Sequence, residues 1–285
     1  MSSSTQGGAG RWEDLNRDLL VAILARVGVA DLVAAVPFVC SSWRGAAMDP
    51  ACWRNLDFSN WDAISYHLGL RGLDGFPGFL EFVLSRTRGL LDSIYFPSVA
   101  DEDDLLLVAE RCPKLLYFSL PDPHLSADKF CEAVSKLHFL KGMAVDENLI
   151  SYEVLLHVNQ CCANFTELKV FTGYLDDEMA SIISNSLPHL QKLEITNTNF
   201  TAQAIITFLD QLKELEHLDI SGYQSSSITD VVLEKSSRLK VFLWDSRVEL
   251  GEFIECSNCG DSWLLEKPCG CMLDQKIMEW LSNLS

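Results

Sequence analysis

The segment FTELKVFTGYLDDEMASIISNSLPH, residues 165–189, is followed at once by LQKLEITNTNFTAQAIITFLDQLKE, residues 190–214, and the two align at an offset of 25. Each begins with the pattern apolar-x-x-apolar-x-apolar, as Phe165/Leu168/Val170 and Leu190/Leu193/Ile195. Outward from this pair the pattern recurs at Leu140/Met143/Val145, Leu115/Phe118/Leu120 and Leu91/Ile94/Phe96, and onward at Leu215/Leu218/Ile220 and Leu239/Phe242/Trp244. Successive copies start 24 or 25 residues apart. Alternation of the second and third apolar residues predicts a short strand with one face buried.

A second column supports the first by a different physical route. Asp101, Ser126, Ser151, Asp176 and Thr201 recur every 25 residues, and each side chain can accept a hydrogen bond from the free amides at a helix start. Acids follow in the first turn at Asp103, Asp104, Asp128, Glu153, Asp177 and Glu178, where the positive end of the helix favours them. Phe130/Ala133/Val134/Leu137 and Met179/Ile182/Ile183 then give a buried helical stripe. One step earlier, Phe76-Pro77 predicts a helix over 77–87. The first copy, Trp53/Leu56/Phe58, stands 38 residues before Leu91, so an insertion of about 13 residues, read as a loop, falls around 60–75.

A strand, turn and helix of this length cannot bury their apolar side alone, whereas stacked copies share a continuous core and curve into an arc. In an ordinary α/β domain the two matching columns would be coincidence. The chain from Trp53 to Trp244 resembles the leucine-rich-repeat family. The Asn or Cys of that consensus is met by Asn148 and not by Pro123, Gly173, Thr198 or Tyr223, so the copies are degenerate. The fold class expected is therefore α/β: a parallel-stranded solenoid with strands on the concave face and helices on the convex one.

Residues 11–52 follow a different pattern. Leu15, Leu19, Leu20, Ile23, Leu24 and Val27 fall at helical spacing, and Asp31 is placed to cap a second helix carrying Leu32, Val33, Ala35, Val36 and Val39. Cys40, Trp43 and Arg44 follow, then Asp49-Pro50-Ala51-Cys52-Trp53, for three short helices in all. So small a module is near the lower limit of independent stability and calls for a partner. The run from Leu15 through Ile23-Leu24, Asp31-Leu32, Val39-Cys40, Trp43-Arg44 and Asp49-Pro50 to Trp53 resembles an F-box, most closely that of plant F-box/leucine-rich-repeat proteins. Asn16 stands where the motif has proline, which loosens the N-terminal turn, and Cys52 stands where it has leucine.

The resemblance implies docking on the Skp-type adaptor of a cullin–RING ubiquitin ligase, with the repeats holding a protein substrate. The residues expected to meet the adaptor are Leu15, Leu19, Ile23, Leu24, Val39, Cys40 and Trp43, as a few apolar anchors in a partner's groove. Some of them could instead cap the repeat core, a role for which Trp53 and Leu56 are better placed. Substrate is expected on the concave strand positions, with Tyr95, Tyr117 and Leu243 first, then Lys169, Phe171, Lys192 and His217.

The chain has 285 residues, 48% hydrophobic and 22% charged, which excludes collagen-like, mucin-like and wholly disordered classes. Its 22 basic and 40 acidic residues give a formal charge of −18, which repels phosphate backbones and anionic lipid heads, so nucleic acid is not expected as a partner. Residues 1–10 read as a mobile tail without signal-peptide character, and no stretch reads as a membrane span, so an intracellular site is expected. Cys40, Cys52, Cys112, Cys131, Cys161 and Cys162 read as small buried hydrophobes.

Residues 246–285 read as a Cys-rich cap ending in a helix over 273–284, with repeats filling 53–245. Cys256, Cys259, Cys269 and Cys271 form two close pairs. They are read first as reduced thiols and second as the ligands of one closed structural zinc; no other cofactor is expected. No phosphate loop, His-Glu-x-x-His or Gly-x-Ser-x-Gly is present, and no histidine lies within thirty residues of Cys256. A substrate adaptor is therefore preferred to a thiol enzyme or a plain repeat scaffold.

Overall fold

A computed structural model describes residues 15–70, 75–121, 124–222 and 227–244, and the backbone of strands at 254–255 and 262–263. The 1–10 tail, Pro123, Tyr223, the four clustered thiols and the expected final helix lie outside the described residues.

The first module forms α1 (Arg17–Leu24), α2 (Val29–Ala34), α3 (Val36–Val39), α4 (Ser41–Ala47) and a 3-10 turn at Pro50–Trp53. Four short helices thus replace the three expected. The break comes at Ala35, just before the turn of helix that holds Pro37, which has no N–H to continue a hydrogen-bond ladder. Asp31 lies inside the first turn of α2 and Gly28 takes the cap position. Asn16 does not loosen the start of α1: its side chain accepts from the Asp18 amide at 2.9 Å and caps the helix. Cys52 and Trp53 are buried, and the Trp53 indole donates to the Ala47 carbonyl at 2.8 Å, locking the module onto the repeats.

The repeats supply β1 (Asn55–Asp57), β2 (Ser93–Tyr95), β3 (Tyr117–Leu120), β4 (Gly142–Asp146) and β5 (Glu167–Phe171), then β6 (Tyr174–Leu175), β7 (Lys192–Glu194), β8 (Asn199–Phe200), β9 (His217–Asp219) and β10 (Val241–Leu243). Eight of these form one parallel sheet in the order β1-β2-β3-β4-β5-β7-β9-β10, and β6 pairs with β8 beside it. Leu56, Ile94, Phe118, Met143, Leu168, Leu193, Leu218 and Phe242 lie in register across the sheet. All but Phe242 are buried, so the apolar column found in the sequence is the spine of the core.

Helices α6 (Gly75–Thr87), α7 (Glu102–Arg111), α8 (Ala127–Val134), α9 (Tyr152–Cys161), α10 (Asp177–Ser186), α11 (Ala202–Gln211) and α12 (Asp230–Ser236) back the sheet. Asp101, Ser151, Asp176 and Thr201 cap α7, α9, α10 and α11 through their side chains. Ser126 precedes α8 without such a bond, and Thr229 caps α12 three residues beyond the 25-residue column. Neighbouring repeats are also tied by pairs such as Lys129–Asp103 at 2.9 Å, Lys136–Glu110 at 2.9 Å and Lys235–Asp210 at 2.6 Å. The Arg238 guanidinium donates to the carbonyls of Leu209, Leu212 and Leu215 and closes the last turn of α11.

Between β1 and α6 the expected loop contains a helix, α5 (Trp61–His67). Trp61 anchors it in the core, 5.1 Å from the Phe76 ring and 5.5 Å from Phe79. Seven residues are too few for a helical period to stand out, and burial of one indole holds the segment. None of the six described cysteines is in a disulfide. Cys52, Cys112 and Cys162 are buried as expected, and burial is the main reason their thiols titrate high, Cys52 up to about 11 and Cys162 up to about 12. Cys40, Cys131 and Cys161 are only partly buried, short of expectation.

Asp104 closes the capping box of α7: the Asp101 side chain accepts from the Asp104 amide, and Asp104 accepts from the Asp101 amide. Burial raises its carboxyl to about 6, against the lowering effect of that hydrogen bond and with help from the charges of Asp101 and Asp103. A folded-state value above the unfolded one favours the fold below about pH 4, and this contribution is lost as pH rises through about 6. Asp104→Asn keeps an acceptor and removes the buried charge. Its stability relative to wild type is expected to rise by about 2 kcal/mol between pH 4 and pH 7.5. Urea unfolding of both proteins across that range checks this; a pH-independent difference would contradict it.

Candidate functional sites

Two surfaces stand out, one on the helical module and one on the concave sheet. In α1, Leu20 and Leu24 point inward and are sealed in the core, while Leu19 and Ile23, also four residues apart, line the outer face. Leu19 is 58% exposed and Phe38 on α3 is 75% exposed, values unusual for large apolar side chains, and Ile23, Val39 and Met48 are exposed as well. Of the residues expected to meet an adaptor, Leu19, Ile23 and Val39 are therefore presented, and Leu15, Cys40 and Trp43 are half-buried. Leu24 is fully buried beside Leu20 on the inner face of α1, one helical turn apart, so it packs in the core and is not presented to a partner. Phe38 takes its place at the surface; its signal was a phenylalanine directly after Pro37, outside the helical stripe.

On the concave side, strand positions between the buried columns face a hollow of about 600 Å³ centred on β4. Tyr95 and Tyr117 form one wall, with ring centroids 5.6 Å apart at 42°. Phe171 forms the opposite wall, with the Lys169 ammonium 5.8 Å from its ring centroid. Lys192 pairs with Glu194 at 2.7 Å, Lys169 reaches Glu194 at 3.5 Å, and Glu167 stands 4.0 Å from Lys192.

Burial pushes the Glu194 carboxyl up, but the hydrogen bond and charge of Lys192, joined by Lys169, outweigh it and hold the group below the ordinary carboxylate range. Lys192 is raised in turn: partial burial lowers it, and Glu194 with Glu167 more than reverses that. Burial, then the neighbouring Tyr95, Glu194 and Glu167, raises the Tyr117 phenol, so it stays a neutral donor at physiological pH.

Five of the seven residues expected on this face, Tyr95, Tyr117, Lys169, Phe171 and Lys192, thus converge on one hollow. His217 sits one strand further, opposite Lys192, and its Nε2 is buried without a hydrogen-bond partner among the described residues. Leu243 is exposed on β10, opposite Asp219 on β9 and away from the hollow. Sequence reasoning missed Gly142 and Ala144, which make the floor, and Lys141 and Glu167 at the sides. Their signal was smallness: among the described strands β4 carries a glycine and an alanine at its concave positions, beside Tyr117, Glu167 and Lys169.

Residues 12–59 match the F-box-like family model. The F-box/LRR-repeat protein At3g48880 of Arabidopsis thaliana is 27% identical over 258 residues, covering 82% of this chain and 83% of its own. F-box protein SKIP19 of the same plant is 30% identical over 223 residues, covering 75% of this chain and 70% of its own. Among solved structures, the leucine-rich repeat-containing protein LegL7 of Legionella pneumophila aligns with a TM-score of 0.42 at 12% identity, over 79% of this chain and 77% of that one.

Proposed function

Because the chain belongs to the F-box/leucine-rich-repeat proteins, we propose that it is the substrate-recognition subunit of an SCF-type ubiquitin ligase. The helical module docks on the Skp-type adaptor, the concave face of the repeats holds a protein substrate, and catalysis comes from other chains of the assembly. The observation that carries this reading is the outward-facing apolar set Leu19, Ile23, Phe38 and Val39 on a module that is otherwise tied into the repeat core. Apolar side chains so exposed on short helices gain most by entering a partner's groove. The ligase role proposed here puts the protein inside the cell; separately, no described helix is long and apolar enough to cross a membrane.

Titration of the purified full chain with a purified Skp-type adaptor tests the proposal. A one-to-one complex with a dissociation constant of about 1 μM or tighter is expected. Absence of heat and of co-elution at tens of micromolar, roughly ten times that constant, would leave the chain a repeat scaffold without a part in ubiquitin transfer.

A further inference from the structure

The hollow over β4 supports a statement about which substrates fit, and it rests on the reading of the concave face as the substrate's seat. A Cβ added at Gly142 would stand 2.7 Å from the Glu167 Cβ and 3.0 Å from the Tyr117 ring, so the depth of the hollow depends on glycine at this position. The chain carries a charge of −18, yet three lysines and two glutamates line the hollow, a local reversal of sign.

The acids there are already engaged. Glu194 is held by Lys192 and Lys169, and Glu167 stands 4.0 Å from Lys192. Lys141 at the rim is exposed and makes no side-chain ion pair among the described residues. A cationic side chain entering the hollow would meet Lys141 unopposed and would have to displace lysine from Glu194. An anionic one meets a free ammonium, and the tyrosine pair beside it offers aromatic surface.

We propose that this hollow selects an extended segment of the substrate carrying an anionic side chain two residues from an aromatic one, so that both face the sheet. The aromatic ring lies against Tyr95 and Tyr117 over the Gly142–Ala144 floor, and the anion pairs with Lys141, with the Lys169 charge adding to its attraction.

The test is an immobilised set of nine-residue peptides, each with a central phenylalanine and, two residues to either side of it, glutamate, phosphoserine, glutamine or lysine, probed with the purified full chain alone. Glutamate or phosphoserine peptides are expected to be retained about tenfold better than the glutamine peptide, with lysine weakest. The glutamate and phosphoserine arms separate a plain carboxylate from a phosphorylated substrate, and preference for either supports the proposal. Lys141→Glu with Lys169→Glu should invert the order, and Lys141→Gln alone, a milder change at an exposed side chain, should flatten it. Preference for lysine by the wild type, equal retention, no retention, or an order that ignores these variants would overturn the proposal. Adaptor titration of the same variants is expected to be unchanged, so failure of the peptide result and failure of the ligase reading are told apart.

Discussion

Leu19→Asp combined with Ile23→Asp is expected to weaken capture of the Skp-type adaptor by a hundredfold or more, roughly 3 kcal/mol, while the folded repeats remain. Both side chains face solvent on one side of α1, so a carboxylate at either position keeps its hydration in the free chain and loses it only when a partner covers the helix. The opposite face of the same helix behaves differently. Leu24→Ala removes a fully buried side chain and is expected to lower stability by about 2–4 kcal/mol, with adaptor affinity of the surviving folded fraction close to wild type. Calorimetric titration and thermal unfolding on the same preparations resolve the two effects. Wild-type affinity in the double aspartate variant would remove α1 from the interface.

The largest loss of stability is expected from Phe76→Ala. Phe76 is fully buried at the first turn of α6, with its ring edge-on to Phe58 at 5.4 Å, Trp61 at 5.1 Å and Phe96 at 6.5 Å. Truncation leaves a cavity where three aromatic contacts met and costs about 4 kcal/mol. These rings join the inserted helix α5, the first strand and the second repeat, so the cost falls on the end of the solenoid that carries the helical module. In a stack where each unit touches only its neighbours, that end should open first and the repeats beyond α8 should persist to higher urea. Hydrogen exchange along the urea titration checks this; a single cooperative loss with a midpoint near wild type would contradict it.

The repeats were legible in the sequence because their signal is redundant. Leu193 says little by itself, but seven positions in register at a constant spacing name the strand, its buried face and its neighbours at once. Features that occur once were not legible. The helix at Trp61–His67 has a single anchoring residue, and the interruption at Ala35 depends on how α2 and α3 pack rather than on composition. Leu24 and Phe38 exchanged roles for the same reason: which of two apolar faces is covered is decided by the elements that pack on α1, not by its own period. Concave residues were predicted from alternation, whereas the hollow arises where alternation continues with side chains too small to fill it.

The lock-step pairing of the sheet, residue opposite residue from Leu56 to Phe242, makes the span of this molecule adjustable in whole units. Duplicating or deleting one copy of about 25 residues keeps the strand register, since the apolar column recurs in each copy. The distance between the docking helices and the far rim therefore changes in increments of about 5 Å, one strand spacing at a time. On the function proposed above, such a change would set how far a substrate is held from the adaptor while both ends stay as they are.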